Sequence, residues 1–393
     1  MRRSSLLPLV MLGLVGAPFV TGCDQTPSGR DAGGGGGGMD TGVRPLLDTG
    51  PPVDTGPGCV YALPIDLLFV VDNSSSMAEE QLNLAENFPD LLSTLTNPPD
   101  ADRNGEPDFP AAEDVRLGVI TTDLGTAPYS PPTCDTMGGD RGVLVTSHLG
   151  GDPTCAGVSL PASEPWLSYQ VGDDAAEIGR QFACLARVGT MGCGLEQQLE
   201  SMHEALVTQS TAGMPNAGFV RDDSLLAIVF VTDEEDCSAS NPDVFDPTRN
   251  GDLGPYGTRC AFHPEMLHPI DRYVTALDNL RLDRRQPIVV GAITGVPTNP
   301  AGVDPLTIDL EMLLMDSRMQ YMDDPENMGQ LTPACDRPGA GFAIPARRVV
   351  ELARRFAVRS GDGLATSICD DDLSLAMRAL GTLIGRRLCP PLE

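Results

Sequence analysis

The sequence predicts an α/β fold: a doubly wound, mostly parallel sheet with helices on both faces. Three observations carry this. Residues 67–71, 225–232 and 288–294 are short, largely apolar runs, as strands buried on both faces are, and 115–122 is a further strong strand that carries Arg116. Amphipathic helical patterns separate them, the order that gives a parallel sheet covered on two sides. Two of the runs end in an acid, Asp72 and Asp233. Strand carboxyl ends are where open α/β sheets bind their ligands, at the switch in strand order, so both acids are expected in one crevice.

The elements follow in order. The first strand, from about Ile65, stops at Asp72, and Ser74 and Ser76 follow at alternate positions. Ser76 and Glu79 have the spacing of a capping box and open a helix predicted to reach about Thr94. Residues 100–108 place Asp100, Asp102, Asn104 and Asp108 at positions 1, 3, 5 and 9, with Gly105 at 6, as in a calcium loop; position 12 is Ala111 rather than Glu, and no helices flank it. The strand at 115–122 leads into a Gly/Pro/Thr-rich insertion at about 125–172. Helices are expected at 173–188 and 195–210, a strand at 225–232, a helix over 264–284 and a strand at 288–294. An irregular insertion at 296–344 holds a helical stretch, 306–321. Pro345 suits the first turn of a helix running to about Arg359. Residues 364–369 suit a last strand, and 371–387 a closing helix with acids first and Arg386 and Arg387 last.

Composition bounds the function. The chain has 393 residues, is 41% hydrophobic and carries a formal charge of −29. Such an acid excess opposes nucleic acid and favours cations. All 26 basic residues are Arg, which excludes P-loop and Schiff-base lysine chemistry. Arg2 and Arg3 precede an apolar stretch, 6–20, that is too short and too broken for a membrane span. Val20-Thr-Gly-Cys23 then resembles a bacterial lipobox, which implies a signal peptide at 1–22, acylation of Cys23 and anchorage in the cell envelope. Residues 23–58, with six consecutive glycines and three Asp-Thr-Gly triplets among prolines, read as a solvated linker, not as a protease pair. Setting Cys23 aside, ten of the 11 cysteines remain, an even number suited to disulfides in an oxidising compartment. The pairs closest in sequence are Cys134 with Cys155, Cys184 with Cys193, Cys237 with Cys260, and Cys335 with Cys369.

Asp72-Asn-Ser74-Ser-Ser76 after a buried strand, followed by a second strand ending at Asp233, resembles the von Willebrand factor A (vWA) family and its metal-ion-dependent adhesion site. The strings VVDNSSSM, VITTDLG and VFVTDEEDCS are similar to vWA-type lipoproteins of Gram-negative bacteria, and the resemblance spans residues 59–389 of the expected domain, 59–393. It implies a divalent cation, Mg²⁺ or Mn²⁺, held by Asp72, Ser74, Ser76 and Asp233, hard oxygen donors that suit such ions. It implies a protein or peptide ligand offering a carboxylate, and no catalysis. It also implies neighbouring chain ends, so that Cys59 and Cys389 can meet. The family's loop threonine is represented by Thr190, early relative to the next helix; helix register brings Glu196 nearer. With Asp72 and Asp233 alone the ion's charge is neutralised; adding Glu196 makes the cluster −1 and weakens attraction for an acidic ligand. The rival expectation is an envelope lipoprotein whose metal only stabilises the fold. The stretch His263-Pro-Glu-Met-Leu-His268 has the wrong spacing for a zinc protease.

Overall fold

The computed structural model describes residues 61–389 apart from 133, 135–137, 150–151, 282–285, 300–302 and 338–340. The leader, Cys23, the linker and Cys59 lie outside the described residues.

Among the described residues, six strands form one sheet, five of them parallel and the sixth antiparallel at one edge. β1 (Ile65–Val71) is buried at all seven positions and lies parallel to β2 (Asp114–Thr121) on one side and β4 (Leu225–Thr232) on the other. β5 (Ile288–Thr294) and β8 (Gly363–Ser367) continue the parallel set. β3 (Leu167–Gln170), at the far edge, is antiparallel to β2. It falls inside the expected insertion at 125–172. Four residues are too few to register as a strand, although Leu-Ser-Tyr-Gln alternates as an edge strand should. β6 (Cys335–Arg337) and β7 (Gly341–Ala343) form a separate hairpin inside the second insertion.

Alternate residues of the strands feed two cores. Ile65, Leu67, Phe69 and Val71 pack with Leu84, Phe88 and Phe182, from helices α1 (Ala78–Thr96) and α2 (Ala175–Leu185), and with Leu380. Leu68 and Val70 face the opposite way, towards Leu199 of α3 (Gln198–His203) and towards Tyr273 and Val349. A third, smaller cluster holds Cys134, Cys193, Leu195, Cys237, Phe245 and Cys260, among which run the short helices α4 (Asn250–Leu253) and α5 (Tyr256–Phe262).

Several predicted helices change their limits for identifiable reasons. Pro264 and Pro269 delay the helix expected from 264, so α6 spans Ile270–Leu280. The 195–210 pattern yields only the six residues of α3, then a wider turn over Glu204–Thr208. The second insertion contains α7 (Leu310–Met315). α8 (Arg347–Ser360) begins two residues after Pro345 and stops at Gly361, whose φ of 73° suits glycine. α9 (Ser374–Gly385) starts where Asp372 accepts the Ser374 N–H, at 2.8 Å.

Disulfides join Cys237 to Cys260 and Cys335 to Cys369, as expected from the sequence. The other two expected pairs are exchanged: Cys134 bonds Cys193, and Cys155 bonds Cys184. The first insertion folds back over the segment 184–193, so cysteines distant in sequence are neighbours in space. Cys389 is also disulfide-bonded.

Candidate metal centre

The ends of β1 and β4 meet at the switch in strand order, and the Asp72 N–H donates to the Val231 carbonyl, at 2.9 Å. The buried Asp72 carboxylate is fixed from two sides. Its Oδ1 accepts the Ser74 N–H at 2.8 Å, and its Oδ2 accepts the Thr232 hydroxyl at 2.6 Å. Thr232 Oγ1 accepts in turn from Gln198 Nε2 at 2.8 Å, so a relay runs from the start of α3 to Asp72. The Ser74 and Ser76 hydroxyls lie 3.1 Å apart. Ser76 also lies beside Asp233 and opposes the rise of its carboxyl. This corrects the capping-box expectation: α1 begins without a side-chain cap, because the Ser76 hydroxyl is turned into the crevice.

The loop at 188–196 is laced over this turn. Gln81 Nε2 donates to the carbonyls of Asp72 and Gly189, both at 2.8 Å. The Gly192 N–H donates to the Asn73 carbonyl at 2.8 Å. A Cβ on Gly192 would stand 2.2 Å from Asn73 Oδ1, so a larger residue here would have to displace the Asn73 amide. Thr190 is half-buried early in this loop, and Glu196 is buried at its end.

Glu196 is the residue whose charge reaches the crevice. Burial first, then Asp72, Glu234 and Asp233, push its carboxyl well above the usual range. Asp233 is pushed up by burial, then by Asp72 and Glu234. Burial raises Asp72 despite its hydrogen bonds. Glu234 is raised to about 8 by burial, Asp72 and Glu235. Glu80 is raised, chiefly by burial. Asp233 Oδ1, Glu196 Oε1 and Glu80 Oε2 are buried acceptors without a hydrogen-bond partner. Five acids thus crowd one crevice with too few donors, an arrangement that a divalent cation or bound protons would relieve. The donor set of carboxylates and two hydroxyls fits Mg²⁺ or Mn²⁺. Ser75 and Ser76 are exposed, so the crevice reaches solvent on their side.

Sequence reasoning missed Glu80 and Glu234. Glu79 carries the capping-box spacing, yet its neighbour Glu80 is the one turned inward. Glu234 follows a strand-end acid directly, and that acidic run was its only signal.

Asp100, Asp102 and Asp108 do come together: among the described residues, they are the group whose ligand oxygens all lie within 4.8 Å of one another. The crevice acids are spaced more widely. Asn104 N–H donates to Asp100 and Asp102 at 3.0 Å, Gly105 N–H to Asp100 at 3.0 Å, and Glu106 N–H to Asn104 Oδ1 at 2.8 Å. The His263–His268 stretch holds a single helical turn, Pro264–Met266, and His263 Nδ1 lies 3.0 Å from Glu265.

No protein-family model and no curated protein matches the chain. Solved structures with some likeness include a human COPII-coat protein, 13% identical over 66% of this chain and 28% of that one, with a TM-score of 0.29. The pilus adhesin of Streptococcus pneumoniae is 14% identical over 44% and 21%, with a TM-score of 0.21. An adhesive tip pilin of Group B Streptococcus agalactiae is 17% identical over 44% and 46%, with a TM-score of 0.20. The chain spans less than half the length of each, and likenesses of this size assign neither family nor function.

Proposed function

We propose that this chain is a vWA-like cell-envelope lipoprotein that holds Mg²⁺ or Mn²⁺ at Asp72, Ser74, Ser76, Asp233 and Glu196. One observation supports this above the rest: buried carboxylate oxygens of Asp233 and Glu196 face the crevice without donors. The cation would be offered, on the exposed Ser76 side, to a carboxylate of a protein or peptide. The domain is tethered through an acylated Cys23 and a flexible linker. The loop at 100–108 would take Ca²⁺ separately, through Asp100, Asp102, Asn104 and Asp108.

A second reading has its own support. Glu196 is buried beside Asp72 and Asp233, and as a ligand it makes the cluster −1 and weakens its hold on an acidic partner. On that reading the ion only stabilises the fold. Thermal unfolding with and without Mg²⁺, in the wild type and Asp72→Ala, tests the site; equal shifts in both would refute it. A Mg²⁺-dependent pull-down from envelope extracts separates the readings, since a purely structural ion recruits nothing. Acylation is tested by detergent-phase partitioning, where Cys23→Ser should move the protein to the aqueous phase.

A further inference from the structure

A six-residue helix holds its first turn only if its leading N–H groups find acceptors. α3 supplies none itself, because Gln197 makes no side-chain cap. Its acceptors come from the loop after β4. Leu199 N–H donates to Asp236 Oδ1 at 3.0 Å, and Glu200 N–H donates to Ser238 Oγ at 2.8 Å. The Ser238 hydroxyl donates to Asp236 Oδ1 at 2.6 Å, joining the two caps. Asp236 Oδ2 is held by Arg348 Nε at 2.9 Å. The neighbouring Glu235 accepts the N–H groups of Arg347 and Arg348, at 2.7 and 3.2 Å, and so caps α8, whose own N-cap Ala346 makes no side-chain bond. One four-residue stretch therefore caps two helices on the same face of the sheet.

This stretch also fixes the crevice. Cys237 N–H donates to the Glu196 carbonyl at 2.8 Å, and Gln197 N–H donates to the Thr122 carbonyl at 3.1 Å. Glu196 is thereby strung between the ends of β2 and β4, immediately ahead of the turn that Asp236 and Ser238 hold. Gln198, the first residue of α3, is the donor that orients Thr232 on Asp72. If that turn frays, Glu196 loses its anchor and Asp72 loses its relay together. Ion sites need their ligands held to within about half an ångström.

We propose that Asp236 and Ser238 are positioning residues for the cation site: they touch no ion, yet ion affinity depends on them through α3. This rests on the cation reading given above. By linkage, the ion must also tighten α3, so Mn²⁺ slows amide exchange at Leu199 and Glu200.

The test uses the full chain and Mn²⁺ as probe, with free ion counted by electron paramagnetic resonance well below the melting temperature. Ser238→Ala should weaken Mn²⁺ about fivefold, the effect of a lost helix cap felt at the site. Ser238→Thr, which keeps the hydroxyl, should restore it. If Ser238→Ala lowers the melting temperature in chelator but leaves Mn²⁺ affinity unchanged, the caps are merely structural and the proposal fails. Should Ser238→Ala not fold, Gln198→Leu breaks the same relay from the α3 side, and unchanged affinity there would refute it equally. Asp72→Ala keeps the two levels apart: if it binds Mn²⁺ as the wild type does, the site itself is misplaced.

Discussion

The molecule carries two acidic clusters that differ in how their charge is resolved. In the loop at 100–108 the carboxylates are largely exposed and turn onto their own backbone N–H groups, so the loop closes on itself. In the crevice, Asp72, Asp233, Glu196, Glu234 and Glu80 are packed between strand ends, several of their oxygens lack donors, and burial raises every one of them. Acidic sequence alone does not distinguish the two. What separates them is that backbone N–H groups meet the carboxylates of one set, while several buried oxygens of the other have no donor.

The largest test removes the fence around the crevice. Cys134→Ser with Cys193→Ser deletes a bridge across 59 residues and should cost about 4 kcal/mol on the chain-entropy account. The loop that carries Glu196 should loosen, and Mg²⁺ stabilisation should fall with it; unchanged urea unfolding would show that the bridge does not hold this loop. Peptide mapping without reductant should recover Cys134–Cys193 and Cys155–Cys184 linked.

Next comes the ion itself. At a hundredfold excess over its dissociation constant, Mg²⁺ should stabilise the wild type by about 2.7 kcal/mol and Asp72→Ala by nothing. The pH dependence in chelator has a definite sign. Glu234 titrates near 4.5 when unfolded and about 8 when folded, and Glu235 near 4.5 and about 7. The folded protein therefore binds more protons between these values, so metal-free stability is full below about pH 4.5 and falls as pH rises through 7 to 8. Saturating Mg²⁺ should flatten that decline; a metal-free protein that gains stability over this range would contradict the electrostatics. Thr232→Val removes the hydroxyl on Asp72 and should weaken Mg²⁺ roughly tenfold, as read by titration calorimetry. The smallest effect belongs to the exposed loop: Asp102→Ala should change stability by less than about 0.5 kcal/mol without calcium.

The sheet was legible where physics leaves few options. β1, β4 and β5 read as strands because each is apolar on both faces, β2 because its second half is, and Asp72 and Asp233 read as neighbours because both end such strands. Short elements were not legible: β3 has four residues, and its pairing with β2 depends on where the first insertion returns. Cys134 and Cys155 looked like partners by proximity, but the fold gave each a partner beyond the insertion. Ser76 was assigned to a helix cap because spacing reports only local options, and the crevice outbid the helix for its hydroxyl. The jobs of Glu235, Asp236 and Ser238 were invisible, since the amides they cap lie 37 and 112 positions away in the chain.

Those distant caps impose an order on folding. α3 precedes β4 along the chain, so during synthesis its residues exist before Asp236 and Ser238 do. A six-residue helix without acceptors stays open until the loop that follows β4 is in place. α8 must likewise wait for its place against Glu235. The crevice is therefore among the last parts to close, after the central strands have paired. Pulsed hydrogen exchange during refolding should find the amides of Leu199 and Glu200 protected later than those of β1 and β4.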